Sequence, residues 1–121
     1  MANAQALEFC HHNIVADLEA DLTSTVAAAT LAIPVTQPFV SKTTGGAEAL
    51  TLANGVPGQV LTIHLAVRAG DGTLTPATAT GWATMIFTAA GDTATLLYVN
   101  DTMGWIILGT AGVLAPPLIT V

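Results

Sequence analysis

The chain has 121 residues, enough for one domain around a single core and too few for two. Charged side chains make up 8% of it, against roughly 25% in an ordinary soluble domain, and 52% is hydrophobic, much of that alanine. The formal charge of −6 sets eight acids against only Lys42 and Arg68; two cations cannot neutralise a run of phosphates or hold an anionic membrane surface, which excludes nucleic acid and lipid headgroups as partners.

Met1–Asp21 holds four of the eight acids, two of the three histidines and no Lys or Arg. That is the reverse of a signal peptide's basic start, so synthesis and use without export are expected. Ala6, Leu7, Glu8, Ile14, Val15, Leu18 and Leu22 give partial helical spacing without a cap, which suits a short helix or an extended arm equally. Residues 1–22 are therefore expected as an amino-terminal arm, with residues 23–121 forming one β domain.

From Thr23 the pattern is strands and turns. Thr25–Ile33 is rich in Thr, Ala and β-branched residues, and Pro34 and Pro38 confine the next stretch to an edge or an extended linker. Leu50 and Leu52 alternate before the turn Asn54-Gly55-Val56-Pro57-Gly58. Gln59–Arg68 is the clearest strand, with Leu61, Ile63, Leu65 and Val67 on one face and Thr62, His64, Ala66 and Arg68 on the other. Ala69-Gly70-Asp71-Gly72 carries a hairpin signal, with Thr73–Thr75 as the expected return strand. Ala83–Thr88 and Thr93–Asn100 read as further strands separated by a turn at Ala89–Asp92. A turn at Asn100–Gly104 leads into Trp105–Leu108. Ala115-Pro116-Pro117-Leu118 cannot be a central strand and reads as an extended tail. No internal repeat stands out. The spacing predicts an all-β fold, a small antiparallel β-sandwich or barrel with an extended or partly helical amino-terminal arm.

The uncharged stretches Leu22–Ser41 and Trp105–Val121 are interrupted by Pro34, Pro38, Pro116 and Pro117, and read as chain buried in an assembly rather than as membrane spans. A domain of this size buries only ~65% of the surface its unfolded chain exposes. Much of the remainder here must be Ala, Thr, Gly, Val and Leu, and the simplest resolution is that other subunits cover it. Phe9, Ile14, Leu18, Leu22, Phe39 and Trp82 are the expected interface residues.

Candidates for chemistry are few. Cys10, His11 and His12 form one potential ligand cluster, but adjacent histidines on a strand point to opposite sides and a fourth ligand has no source. His64 reads as a satisfied or interface histidine. One cysteine cannot form an intrachain disulfide. Asp17, Glu19 and Asp21 lie close together in a solvated arm, with no apolar pocket to separate their pKa values. Ser24 and Ser41 sit in no nucleophile elbow, and Lys42-Thr43-Thr44-Gly45-Gly46 lacks the order of a phosphate loop. The expectation is a non-enzymatic protein with no catalytic, cofactor or metal site. Phe87 and Trp105 lie in apolar strand runs and read as core. Trp82, Tyr98 and Trp105 keep open a second reading, a carbohydrate-binding or adhesin module with an exposed aromatic platform. Asn100-Asp101-Thr102 matches a glycosylation acceptor but reads as an ordinary turn.

Leu50-Thr51-Leu52-Ala53-Asn54-Gly55, Gly58-Gln59-Val60-Leu61-Thr62-Ile63 and Gly72-Thr73-Leu74-Thr75-Pro76 resemble a β module of tailed-bacteriophage virion proteins. Ile86-Phe87-Thr88, Gly91-Asp92-Thr93-Ala94-Thr95-Leu96-Leu97-Tyr98 and Gly104-Trp105 are similar to its second half, so the likeness spans residues 45–112. Size, Ala/Thr/Gly richness and scarcity of charge look like those of head decoration (cement) proteins. That resemblance implies a homotrimer on the outer surface of the capsid, made in the host cytoplasm. Its partner would be the major capsid protein, with the amino-terminal arm laid along neighbouring shell subunits. A tail or head-fibre domain of the same particle is the nearest alternative, although the chain has no stalk-like segment.

Overall fold

A computed structural model describes residues 22–114. The amino-terminal arm, apart from Leu22, and the tail at residues 115–121 lie outside the described residues, as do Cys10, His11 and His12 and three of the expected interface residues, Phe9, Ile14 and Leu18.

Nine strands form: β1 (Thr23–Val26), β2 (Ala32–Ile33), β3 (Phe39–Thr44), β4 (Glu48–Leu52), β5 (Val60–Arg68), β6 (Gly72–Pro76), β7 (Met85–Phe87), β8 (Thr93–Tyr98) and β9 (Trp105–Ala111). They make a five-stranded sheet in the order β1-β3-β5-β8-β9 and a four-stranded sheet in the order β2-β4-β6-β7. The described part is all-β, as the turn spacing predicts, and its two layers are consistent with a β-sandwich.

The expectation of an antiparallel fold is corrected. Both sheets are mixed, because the first six strands pass alternately from one sheet to the other. β1, β3 and β5 therefore pair in parallel in the first sheet, and β2, β4 and β6 do so in the second. Only after β6 does the chain pair antiparallel, β7 on β6, β8 on β5 and β9 on β8. The Ala69–Gly72 turn consequently joins β5 to β6 across the two layers and is not a hairpin turn. Gly70 sits there because the backbone of Gly46 and Ala47 packs against it so closely that a Cβ would collide. Asn100–Gly104 does close a hairpin, between β8 and β9.

Strand alternation aims one side of each sheet inward. Val40, Leu61, Ile63, Leu65, Leu96 and Tyr98 from the first sheet meet Ile33, Leu50, Leu52, Leu74, Met85 and Phe87 from the second in one core. Val67, expected on the inner face of β5, is instead exposed. The ladder shifts register between Lys42 and Thr43: Lys42 lies opposite Leu65, but Thr43 lies opposite Val67. The extra residue on β5 is a bulge, and it ends the alternation there.

Candidate functional site

The outward faces of the two sheets are the surfaces this fold constructs with most regularity. Register places Thr23, Phe39, Thr62, Thr95 and Gly109 in one row across the five-stranded sheet, and Thr25, Ser41, His64, Thr93 and Ala111 in the next. Val60, Leu97 and Ile106 form a third, apolar row at one end. Phe39 and His64 stack with ring centroids 6.0 Å apart and planes at 23°. Thr62 and Thr95 share a hydroxyl–hydroxyl hydrogen bond of 3.2 Å on the same face. None of these rows contains a charged side chain. The outer face of the four-stranded sheet, with Ala32, Ala49, Thr51, Thr73, Thr75 and Ile86, is equally uncharged but has smaller side chains.

Among the described residues, the charged ones lie elsewhere, in turns, at the end of β5 (Arg68) and in one buried pair. Lys42, at an inward position of β3, is 1% exposed. Its ammonium donates to the Ala27 carbonyl at 2.9 Å and the Thr30 carbonyl at 2.6 Å, and contacts Glu48 Oε1 at 2.8 Å. The two carbonyls take two of the three donors that an ammonium carries, and Oε1 meets it as an ion pair. Glu48 Oε2 accepts from the backbone N–H groups of Ala29 (2.9 Å) and Gly45 (2.8 Å). Ala29 has the positive φ of 69°, so this carboxylate also holds a turn that an alanine enters only at a cost. The Gly45 N–H above all, then the Lys42 ammonium and the Ala29 N–H, lower the Glu48 pKa to about 2. The two side chains staple the β1–β2 turn to the β3–β4 turn. Beside the staple, an open cleft of about 510 Å³ is lined by small residues, Ala28, Ala29, Gly45, Gly46 and Ala47, with Leu31 and Glu48. Its one titratable group, Glu48, has both oxygens engaged.

Two other acids shape turns. Asp92 accepts from the N–H groups of Thr88 (2.8 Å) and Ala89 (3.1 Å), fixing the crossing from β7 to β8. Asp101 accepts the Tyr98 hydroxyl, and this bond, together with burial, raises the phenol pKa to about 12.

The expected interface residues separate. Phe39 is half-buried on the outer face, and Leu22 is 47% exposed at the entry to β1. Trp82 is corrected: it is buried in the core, and its indole N–H donates to the Trp105 carbonyl at 3.0 Å. Trp105 is buried too, edge-on to Tyr98 at 5.2 Å, with its own indole N–H on the Ala53 carbonyl. These three rings are therefore not displayed as a stacking platform for sugars. The Lys42–Glu48 staple was missed by sequence reasoning. The only signal was that Lys42 stands at an inward position in the alternation Val40, Lys42, Thr44.

Among the described residues, no group of three or more His, Cys, Asp or Glu side chains is placed to hold a metal ion. No helix there is long and apolar enough to cross a membrane. No family model matches the chain, and no curated protein matches it in sequence.

Proposed function

We propose that this chain is a virion structural protein, a capsid decoration (cement) subunit that acts as a symmetric, trimeric oligomer on the outer surface of a phage head. The observation that carries the reading is that, among the described residues and apart from Arg68 at the end of β5, the paired rows on the outward faces of both sheets hold no charged side chain in a chain whose net charge is −6. An antiparallel or mixed sheet that faces water ordinarily alternates apolar residues with polar and charged ones. Here the outward positions are Thr, Ala and larger apolar groups, a composition suited to contact with other subunits. A shell multiplies each contact by symmetry, so many weak neutral contacts suffice for stable attachment. The reading also fits the resemblance of residues 45–112 to virion β modules. In it, the two sheets act as a sandwich and the major capsid protein is the partner.

The test is light scattering of the purified chain, alone and after mixing with empty shells of the capsid protein encoded in the same genome. A trimer that co-sediments with the shells supports the proposal. A monomer that stays in the supernatant overturns it.

A further inference from the structure

We infer that Asn54 is a self-modification site: the Gly55 nitrogen attacks its side-chain amide and converts it to aspartate and isoaspartate, and the change is transmitted to the buried Trp105. The inference is independent of the oligomeric reading above.

The loop at residues 53–59 carries the chain from β4 in one sheet to β5 in the other. It is pinned on either side of the Asn54-Gly55 pair. The Ala53 carbonyl accepts the Trp105 indole N–H at 2.9 Å. The Val56 N–H donates to the Gln59 side-chain carbonyl at 3.0 Å, and the Gly58 N–H to the Tyr98 carbonyl at 2.8 Å. Asn54 itself is exposed, and among the described residues neither its amide nor the Gly55 N–H is taken up in a hydrogen bond. Packing dictates the glycine: a Cβ at Gly55 would stand 2.9 Å from Trp105 Cζ2 and closer still to Gln59 Oε1. The fold therefore places, directly after an exposed asparagine, the one residue with no side chain to shield its nitrogen. Asn100 is the contrast. Its Oδ1 accepts from the N–H groups of Thr102 (2.9 Å) and Met103 (2.8 Å), and the residue that follows it is Asp101, held by the Tyr98 hydroxyl.

The chemistry needs only water. The Gly55 nitrogen bonds to Asn54 Cγ and gives up its proton to solvent; the bond from Cγ to the side-chain nitrogen breaks and ammonia leaves, closing a succinimide ring. Water then adds at one of the two ring carbonyls and breaks its bond to the Gly55 nitrogen. Opening at Cγ leaves aspartate, and opening at the main-chain carbonyl leaves isoaspartate, whose main chain runs through Cγ. Both products add a negative charge to a chain already at −6. Isoaspartate also inserts a carbon into the main chain between Ala53 and Gly55, the residue that bonds the Trp105 indole and the residue that packs against its ring. The two anchors cannot both keep their places, so the indole must shift.

The experiment ages the folded full chain in warm, mildly alkaline buffer and maps its peptides by mass. Isoaspartate is counted by methyl transfer from an isoaspartyl methyltransferase, and the succinimide by hydroxylamine, which cleaves the chain at that ring. Wild type should accumulate acid at residue 54 as both products, and hydroxylamine should cut it between Asn54 and Gly55, while Asn100 keeps its amide. Asn54→Gln, which must close a larger ring, should lose both signals. The Trp105 indole N–H resonance of an isotope-labelled sample reads the consequence. It should move in the isoaspartate fraction of aged wild type and stay in place in Asn54→Asp, which has the charge without the extra carbon. Wild type that keeps Asn54 while folded but converts it when unfolded in urea overturns the inference, because the loop would then shield the amide. Conversion of Asn100 as fast as Asn54 overturns it too. An indole resonance that ignores isoaspartate overturns the link to Trp105.

Discussion

The ammonium of Lys42 and the carboxylate of Glu48 lie 2.8 Å apart with 1% and 7% of their side chains exposed. Removing one member of such a pair leaves the other buried without its counter-charge, which typically costs about 3–5 kcal/mol. Lys42→Met, which keeps the stem and discards the charge, is expected to lower the unfolding free energy read from urea melts by about 3 kcal/mol, the low end of that range, since the Ala29 and Gly45 N–H groups still hold Glu48. The pair also sets an acid limb. Folding lowers the Glu48 pKa from 4.5 to about 2, so the carboxylate's contribution is complete above about 4.5 and is lost as pH falls toward 2. Urea titrations across that window should show stability falling in wild type and a flatter profile in Glu48→Gln. At the alkaline end the sign reverses. The Tyr98 phenol is raised from 10.0 to about 12, so its contribution is present below pH 10 and is lost as pH climbs through 12. Absorbance of the sole tyrosine should therefore report phenolate only near pH 12 in the folded chain. An inflection at the ordinary value would mean that the Asp101 bond does not form.

The β8–β9 hairpin isolates a backbone effect at the next scale. Gly104 has a φ of 68°, and a Cβ there would collide with the Thr78 carbonyl, which itself accepts the Trp105 N–H at 3.0 Å. Gly58 has a similar φ of 88° but opens onto empty space. An alanine at Gly58 is expected to cost only the left-handed penalty, about 1 kcal/mol, and at Gly104 about 2 kcal/mol or more because the Thr78 segment must also move. Equal midpoint shifts in paired urea melts would show that the close approach carries no energy. The hairpin itself was legible in Asn100–Gly104, because its turn residues and both strands are local. β5 was legible for the same reason: Leu61, Ile63 and Leu65 alternate without help from any partner. The parallel pairing was not, since Phe39 meets Thr23 at a separation of 16 residues and Thr62 at 23, and nothing local specifies either. Unequal spacing also hides the threefold passage between layers from any search for a repeat. Of the candidate surface, the outward set Thr62, His64 and Ala66 could be read from β5 alone, but its union with Phe39, Leu97 and Ile106 required the sheet order. Trp82 was misplaced because a loop tryptophan beside Gly81 reads as exposed until Trp105 supplies a carbonyl for its indole.

At the scale of the whole molecule, charge and apolar surface are kept apart: −6 overall, with the acids of residues 22–114 at turns or stapled and both broad faces neutral. This separation makes the salt dependence of assembly diagnostic. Repulsion between acidic copies acts over a Debye length, about 30 Å at 0.01 M and about 3 Å at 1 M salt, so added salt removes it. A contact made through the neutral sheet faces would have no ion pair for salt to weaken. Association is therefore expected to tighten as sodium chloride rises from about 0.01 M to about 0.5 M, with most of the gain below about 0.15 M, where screening changes fastest. Sulfate at equal ionic strength should tighten it further, because its exclusion from apolar surface strengthens burial. Sedimentation velocity over such a series reads both effects. Dissociation on adding salt would mean that the copies meet through ion pairs, which would move the contact off the neutral sheet faces and toward the end of β5 at Arg68 and the turns that carry Asp71 and Asp101.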